Sequence, residues 1–304
     1  MKIFIIGAGA VGKALAVSLH QAGKEVELIR GHLDDGTPHM ENIGVDLLDG
    51  PTLEAEIMVS TLSNHTHLEG LVVLTSKSFG NKTLSEKLEP KIGDSPIVLL
   101  QNGLGVEQPF LEKHFPEIYR CVLFMTSQNS APNTISYKPV APSAIGVIQQ
   151  KNTALENIVA TLDTPNFRFV AEKNIQRIIW KKAIANCVFN SICPLLETDN
   201  GIFHRDKTVF AIAQRVIVEC ATIANKKGID LGTSELEDQV LLISRMSDGQ
   251  LISTLQDINN KRETEIDTLN FEIYRMAQAM NLSHKVKETR LLGELVKIKS
   301  ELHR

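Results

Sequence analysis

The sequence predicts an α/β N-terminal half followed by an all-α C-terminal half. Three observations predict it. First, an apolar run at residues 2–6 leads into Gly7-Ala8-Gly9-Ala10-Val11-Gly12, and a helical pattern follows over Lys13–Gln21. Second, short apolar runs alternate with turn signals as far as about residue 165. Third, ten of the 11 prolines lie at or before Pro165, and only Pro194 follows, in a stretch that reads as long helices. A boundary near 166–174 divides the chain into domains 1–170 and 171–304.

In the first half, the expected strands are 2–7, 25–30, 55–60, 71–76 and 97–100. Helical stretches separate several of them, and that alternation implies a parallel sheet. The strand–glycine-turn–helix order makes G-x-G-x-x-G a dinucleotide-site motif. Gly7 permits the tight turn, Gly9 lets backbone approach a pyrophosphate, and Gly12 lets the helix lie close on the strand. Ala8, Ala10 and Val11 complete the turn, and the helix N-terminus offers N–H groups to phosphate. Ligands of open α/β sheets sit beyond the carboxyl ends of the strands. The residues there are Gly7, Arg30, Lys77 and Gln101-Asn102-Gly103.

Arg30 selects the cofactor variant. An NAD enzyme usually carries an acid after its second strand, directed at the adenosine ribose. A guanidinium instead pairs with a 2′-phosphate through two parallel hydrogen bonds. The expected cofactor is therefore NADPH/NADP rather than NADH. Asp34 and Asp35, a few residues further on, are the rival ribose ligands.

In the second half, Lys182, Asn186 and Asn190 recur at i, i+4, i+8 among apolar neighbours. On a helix they span roughly 80° of arc and about 12 Å of length. Asparagine is a poor helix-interior residue, so two aligned with a lysine point to a ligand; buried asparagines bonded to neighbouring backbone are the bland alternative. A carbonyl accepting hydride gathers negative charge on oxygen, and a nearby lysine both stabilises that charge and supplies a proton. A second polar set comprises Ser253, Asp257 and Glu265. It is expected on one long helix (253–280), followed by another (285–302). A helix so charged also reads as exposed, with Arg262 and Asp267 in ordinary surface pairs.

Bulk properties narrow the partners. The net charge of −4 and pI of about 6.2 argue against nucleic acid. No apolar run approaches the ~20 residues of a membrane span, and the first residues lack the features of a signal peptide. Cys121, Cys187, Cys193 and Cys220 have no zinc or redox spacing. They read as reduced, buried thiols of a cytoplasmic protein. His65-Thr66-His67 reads as a surface turn, and no metal site is expected.

Taken together, GAGAVG, Lys77 after a strand, QNGLG at 101–105, W-x-K-x-x-x-N-x-x-x-N at 180–190, Asn200-Gly201, and S-x-x-x-D with T-E-I-D at 253–267 resemble the ketopantoate reductase family. The resemblance implies an N-terminal Rossmann domain, an all-α C-terminal domain and an active site in the interdomain cleft. It implies NADPH-dependent reduction of 2-dehydropantoate to (R)-pantoate, toward pantothenate and coenzyme A. It makes Lys182 the catalytic general acid and its neighbour Lys181 dispensable. Asn186, Asn190, Asn200 and Ser253 match substrate-binding positions, and Asn102 touches both substrate and cofactor. Lys77 lines the cleft near the nicotinamide. Glu265 closes the site, orienting Lys182 or accepting a hydrogen bond from the cofactor. Two alternatives remain: a related dehydrogenase acting on another 2-keto or hydroxy acid, and a non-catalytic NAD(P)-binding sensor. The expected partner is a small 2-keto acid, and the C-terminal helices allow a homodimer.

Overall fold

Residues 3–6 form a strand covered on both sides. Ile3 and Ile5 enter one apolar cluster, while Phe4 and Ile6 enter another. Burial on both faces is why the sequence reads as an unbroken apolar run rather than an alternation. The fold is that of a computed structural model, which describes residues 1–31, 34–48 and 50–304. The described chain forms two compact units: Met1–Gln101 with Val106–Ile175, and Asn102–Gly105 with Gln176–Arg304.

The first unit runs β1 (Ile3–Ile6), α1 (Ala10–Gln21), β2 (Val26–Arg30), β3 (His39–Leu47), β4 (Thr52–Thr61), β5 (Leu71–Leu74), α2 (Asn81–Ile92), β6 (Ile97–Leu99), α3 (Gln108–Glu112) and β7 (Ile118–Val122). It continues through β8 (Met125–Ala131), β9 (Thr134–Pro139), β10 (Ser143–Gln149), α4 (Leu155–Leu162) and β11 (Phe169–Ala171). All the strands join one sheet in the order β11-β10-β7-β6-β5-β1-β2-β4-β3-β9-β8. The six central strands, β7 to β4, are mutually parallel. Residues of α1 and α4 pack into the apolar cluster on one face, and those of α2 and α3 into the other. From β1 the chain passes to β2 on one side, and later to β5 on the other. That reversal opens a crevice at the carboxyl ends of β1, β2 and β5.

The expected strands all form, but the sheet is mixed rather than wholly parallel. β3 runs antiparallel to β4, β8 to β9, and β10 to β7. These outer strands escaped the sequence reading because much of β3 and β8 is exposed and polar, with little apolar signal for a one-sided edge. A second correction concerns β5, which stops at Leu74 rather than at residue 76. Thr75 and Ser76 both donate their N–H to Ile6 O, at 2.9 and 3.1 Å, and so leave the ladder.

The second unit contains α5 (Ile175–Leu196, whose first residue belongs to the sheet unit), α6 (Ile202–Arg205), α7 (Lys207–Lys226), α8 (Thr233–Met246), α9 (Ser253–Asn259), α10 (Asn270–Ala279) and α11 (Lys287–His303). Asp206 caps α7, accepting from Thr208 N and Val209 N. Glu219 of α7 accepts from Glu288 N and Thr289 N at the start of α11.

The expected continuous helix over 253–280 is not formed. α9 ends at Asn259, and Lys261 turns left-handed at φ 56°. Arg262 N then bonds back to Asp257 O at 2.8 Å, a helix-terminating turn. A short 3-10 turn, Ile266–Thr268, precedes α10. Contrary to the expectation that no stretch approaches a membrane span, α7 is long and apolar enough, by length and composition, to cross a bilayer. Ala213, Val216, Ile217, Cys220 and Ala224 of this helix are buried within the protein, as in a packed core helix. His65 is not a free surface residue either, since its Nε2 lies 3.0 Å from Ser60 Oγ and 3.1 Å from Glu27 Oε1. All four cysteines are buried free thiols. Burial pushes Cys193 up to about 12, and burial beside Cys220 raises Cys187.

Candidate functional site

The glycine turn after β1 is assembled from backbone. Gly7 N donates to Ile29 O at 2.8 Å, and Thr75 Oγ1 donates to Gly7 O at 2.8 Å. Gly7 adopts φ 126°, and a Cβ there would stand 2.5 Å from Ser76 N. At Gly12 a Cβ would meet Gly7 O at 1.9 Å. These two positions admit no side chain. A Cβ at Gly9 would meet nothing within 4 Å. Gly9 is the N-cap of α1, which has no side-chain cap and no acid in its first turn. The first N–H groups are therefore left for an outside acceptor. An open glycine, a sealed turn and uncapped N–H groups fit a dinucleotide pyrophosphate.

Arg30 ends β2, and a Cβ on its neighbour Gly31 would lie 3.4 Å from Ser76 Cβ and 4.0 Å from Gly7 Cα. The end of β2 thus adjoins the glycine turn. Arg30 Nη2 bonds Asp35 Oδ1 at 2.7 Å and Thr37 O at 2.8 Å, while Nη1 bonds Asp35 Oδ2 at 3.3 Å. Asp34 points elsewhere. It accepts from Ser63 N at 3.0 Å, and hydrogen bonding to Ser63 lowers its pKa.

Lys77 follows β5 and Ser76. A buried amide pair braces this loop against the one after β6. Gln101 Nε2 donates to Ser76 O at 2.9 Å and to Asn81 Oδ1 at 2.7 Å. Asn81 Nδ2 returns bonds to Gln101 Oε1 and to Val106 O, both 2.8 Å. Arg120, 1% exposed on β7, donates to Gln101 O at 3.3 Å and pairs with Glu107. Asn81 and Arg120 were not singled out in the sequence, because their partners are remote along the chain. Asn102–Gly105 itself clusters with the helical unit, where Leu104 N donates to Thr268 O at 2.8 Å. A Cβ on Gly103 would stand 2.4 Å from Thr268 Oγ1, so the central glycine of QNGLG is dictated by this contact.

In the helical unit, α5 is continuous through Lys182, Asn186 and Asn190. The three therefore share one face. Asn190 is buried, whereas Lys182 and Asn186 are half-buried. Ser253, at the start of α9, brings its Oγ to 3.5 Å from Asn190 Oδ1. Asp257, one turn on, is buried and pairs with Arg262 at 3.1 Å. Glu265, half-buried, precedes the 3-10 turn, and its carbonyl accepts from Thr268 N at 3.1 Å. Lys181 points away from this face. With Arg177 it grips Glu235 of α8, at 2.7 and 2.5 Å.

Asn200 occupies the loop between α5 and α6, and hydrogen bonds hold its backbone at both ends. Its N–H donates to Gln250 O at 2.9 Å, and its carbonyl accepts from Ser244 Oγ at 2.7 Å. Next to it, Asp199 accepts two bonds from Arg205, at 2.8 and 2.9 Å, and one from Gly201 N at 2.7 Å. The Arg205 guanidinium holds the Asp199 carboxyl down at about 2, helped by the backbone N–H groups of Gly201 and Gly249. Asn200 is 7% exposed, and its Oδ1 is buried with no partner among the described residues. An unsatisfied buried acceptor costs roughly 1–3 kcal/mol. Among the described residues, no cluster of three or more His, Cys, Asp or Glu side chains is arranged for a metal.

One unit carries the open glycine turn and the other the lysine–asparagine face, and similarity to known reductases along nearly the whole chain makes it an oxidoreductase. Comparison with known proteins specifies the kind. A family model described as "Ketopantoate reductase PanE/ApbA" matches residues 3–150, and its "C terminal" counterpart matches residues 174–300. The chain belongs to the ketopantoate reductase family. The 2-dehydropantoate 2-reductase of Pyrococcus horikoshii is 28% identical over 309 residues, covering 99% of this chain and 98% of the relative. The enzyme of that name from Escherichia coli O157:H7 is 26% identical, covering 98% and 95%. The fold matches a PanE/ApbA family ketopantoate reductase from Ralstonia eutropha (TM-score 0.86, 22% identity, covering 100% and 99%). It also matches D-mandelate dehydrogenase with NADH and anilino(oxo)acetate (TM-score 0.85, 23% identity, covering 100% and 99%).

Proposed function

We propose that this chain reduces the C2 carbonyl of 2-dehydropantoate to give (R)-pantoate, using NADPH. The observation that carries the reading is the face of α5: Lys182, Asn186 and Asn190 on one side of an unbroken helix, with Ser253 hydrogen-bonded to Asn190. The division of labour follows the domains 1–170 and 171–304. Bound NADPH supplies the hydride.

The residues of the chain do the rest. The Gly7–Gly12 backbone and the α1 N-terminus hold the pyrophosphate, and Arg30 holds the 2′-phosphate. Lys77 and Asn102 bound the nicotinamide end. Lys182 stabilises charge on the substrate's C2 oxygen and donates a proton to it. Asn186, Asn190, Asn200 and Ser253 supply neutral donors and acceptors to the carboxylate and hydroxyl groups. The orphan Asn200 Oδ1 accepts from a substrate hydroxyl. Glu265 orients Lys182 or accepts a hydrogen bond from the cofactor.

The test is loss of NADPH absorbance against a panel of 2-keto acids that includes 2-dehydropantoate. Turnover fastest on 2-dehydropantoate is expected. Turnover only on other 2-keto acids would overturn the substrate and keep the class. A homodimer, suggested by a relative described as a dimeric ketopantoate reductase from Staphylococcus aureus, is checked by light scattering.

A further inference from the structure

We propose that Asp35 weakens the preference for NADPH over NADH by competing with the 2′-phosphate for Arg30. The proposal rests on the reading that the glycine turn binds a nicotinamide dinucleotide.

The geometry is that of a site already filled by its own chain. Both oxygens of Asp35 face both terminal nitrogens of Arg30, at 2.7 and 3.3 Å. This is the two-point pairing that a phosphate would use. The two partners differ in how firmly they are built in. The Arg30 side chain is only 18% exposed and sits at the end of a sheet strand, whereas that of Asp35 is 50% exposed. Thr37 anchors the arrangement: its carbonyl accepts from Arg30 Nη2, and its N–H donates to Asp35 Oδ1 at 3.2 Å. Asp34, the other nearby acid, is committed to Ser63 and to Lys87 at 3.8 Å. Asp35 is thus the carboxylate that a phosphate must displace. Arg30 Nε, buried without a partner among the described residues, remains as a further donor on the same guanidinium.

The two dinucleotides meet this pair differently. NADH carries ribose hydroxyls, which leave Arg30–Asp35 intact and find an acceptor in the carboxylate. NADPH carries a phosphate of charge near −2. It must take Arg30 from Asp35 and then lie beside a like charge. Arg30 and Asp35 therefore pull in opposite directions, and the net discrimination is their difference.

Calorimetric titration with NADP+, NAD+ and 2′,5′-ADP tests this on wild type, Asp35→Asn, Arg30→Ala and the double variant. Asparagine keeps the shape and removes the charge. Asp35→Asn is expected to tighten NADP+ and 2′,5′-ADP about tenfold, a charge-assisted pair's worth, with NAD+ unchanged or weaker. In the Arg30→Ala background the gain should vanish. Selective weakening of NADP+ by Asp35→Asn would make Asp35 a support for Arg30 and overturn the competition. An equal gain with and without Arg30 would overturn it too, by reducing it to general charge. If wild type binds no dinucleotide at all, the underlying cofactor reading falls as well, which separates that failure from a failure of Asp35 alone.

Discussion

The glycine turn after β1 and the polar face of α5 are built by opposite means. In the turn, the proposed role comes from what is absent. Gly7 and Gly12 are packed against backbone, and at Gly9 a Cβ would meet no more distant part of the described chain within 4 Å. On α5, the proposed role comes from what is present: polar ends carried on a helix whose other positions, such as Ile179, Ala183, Cys187 and Phe189, are buried. A site made of backbone is damaged by adding one methyl group. A site made of side chains is damaged by removing one functional group, and the fold survives. Stability and activity should therefore separate in different ways at the two places.

The largest effect should come from Lys182→Ala. Loss of a positioned acid lowers kcat by about 10²–10⁴-fold, while the melting temperature and the Kd for NADP+ stay near wild type. Unchanged turnover would remove Lys182 from the chemistry. Next come the two glycines. Gly12→Ala places a methyl 1.9 Å from Gly7 O, and the required shift should cost on the order of 3 kcal/mol, read from urea denaturation. Gly9→Ala should leave that denaturation curve unmoved yet weaken NADP+ more than about tenfold. Equal behaviour of the two variants would break the comparison.

A smaller effect concerns the Asn200 loop. Asp199, held at about 2 against an ordinary 3.8, stabilises the fold above 3.8. That contribution is lost as pH falls from 3.8 toward 2, because the unfolded carboxylate binds a proton first. The stability gap between wild type and Asp199→Asn should be constant from pH 7 down to about 5 and then narrow. A gap that stays constant to pH 3 would show that the ion pair with Arg205 contributes nothing. The smallest effect is expected of Lys181→Ala, which loses only a half-exposed pair with Glu235. Such pairs are worth about 0–1 kcal/mol, so kcat should hold while α5 loosens slightly from α8, detectable by hydrogen exchange.

What could be read in advance follows the same division. The turn and its strand were legible because three glycines at fixed spacing and an apolar run are local constraints. Lys182, Asn186 and Asn190 were legible because helical spacing aligns them whatever they face. The β8–β9 hairpin was not, since exposed residues such as Gln128, Asn129 and Ser130 carry no periodic apolar signal. Nor was the break after α9, which depends on a single left-handed residue, Lys261. The Gln101–Asn81 brace and the attachment of Leu104 to Thr268 depend on partners far along the chain, and no pattern of one sequence states them.

The buried thiols give each unit its own internal clock. Cys121 lies in the sheet unit, and Cys187, Cys193 and Cys220 lie in the helical one. Burial raises the pKa of Cys187 and Cys193 and so keeps them as thiols rather than reactive thiolates while they stay enclosed. A thiol reagent can therefore modify a cysteine only when the surrounding unit opens. Mass analysis of which cysteine is modified first would time the opening of one unit against the other without any introduced label.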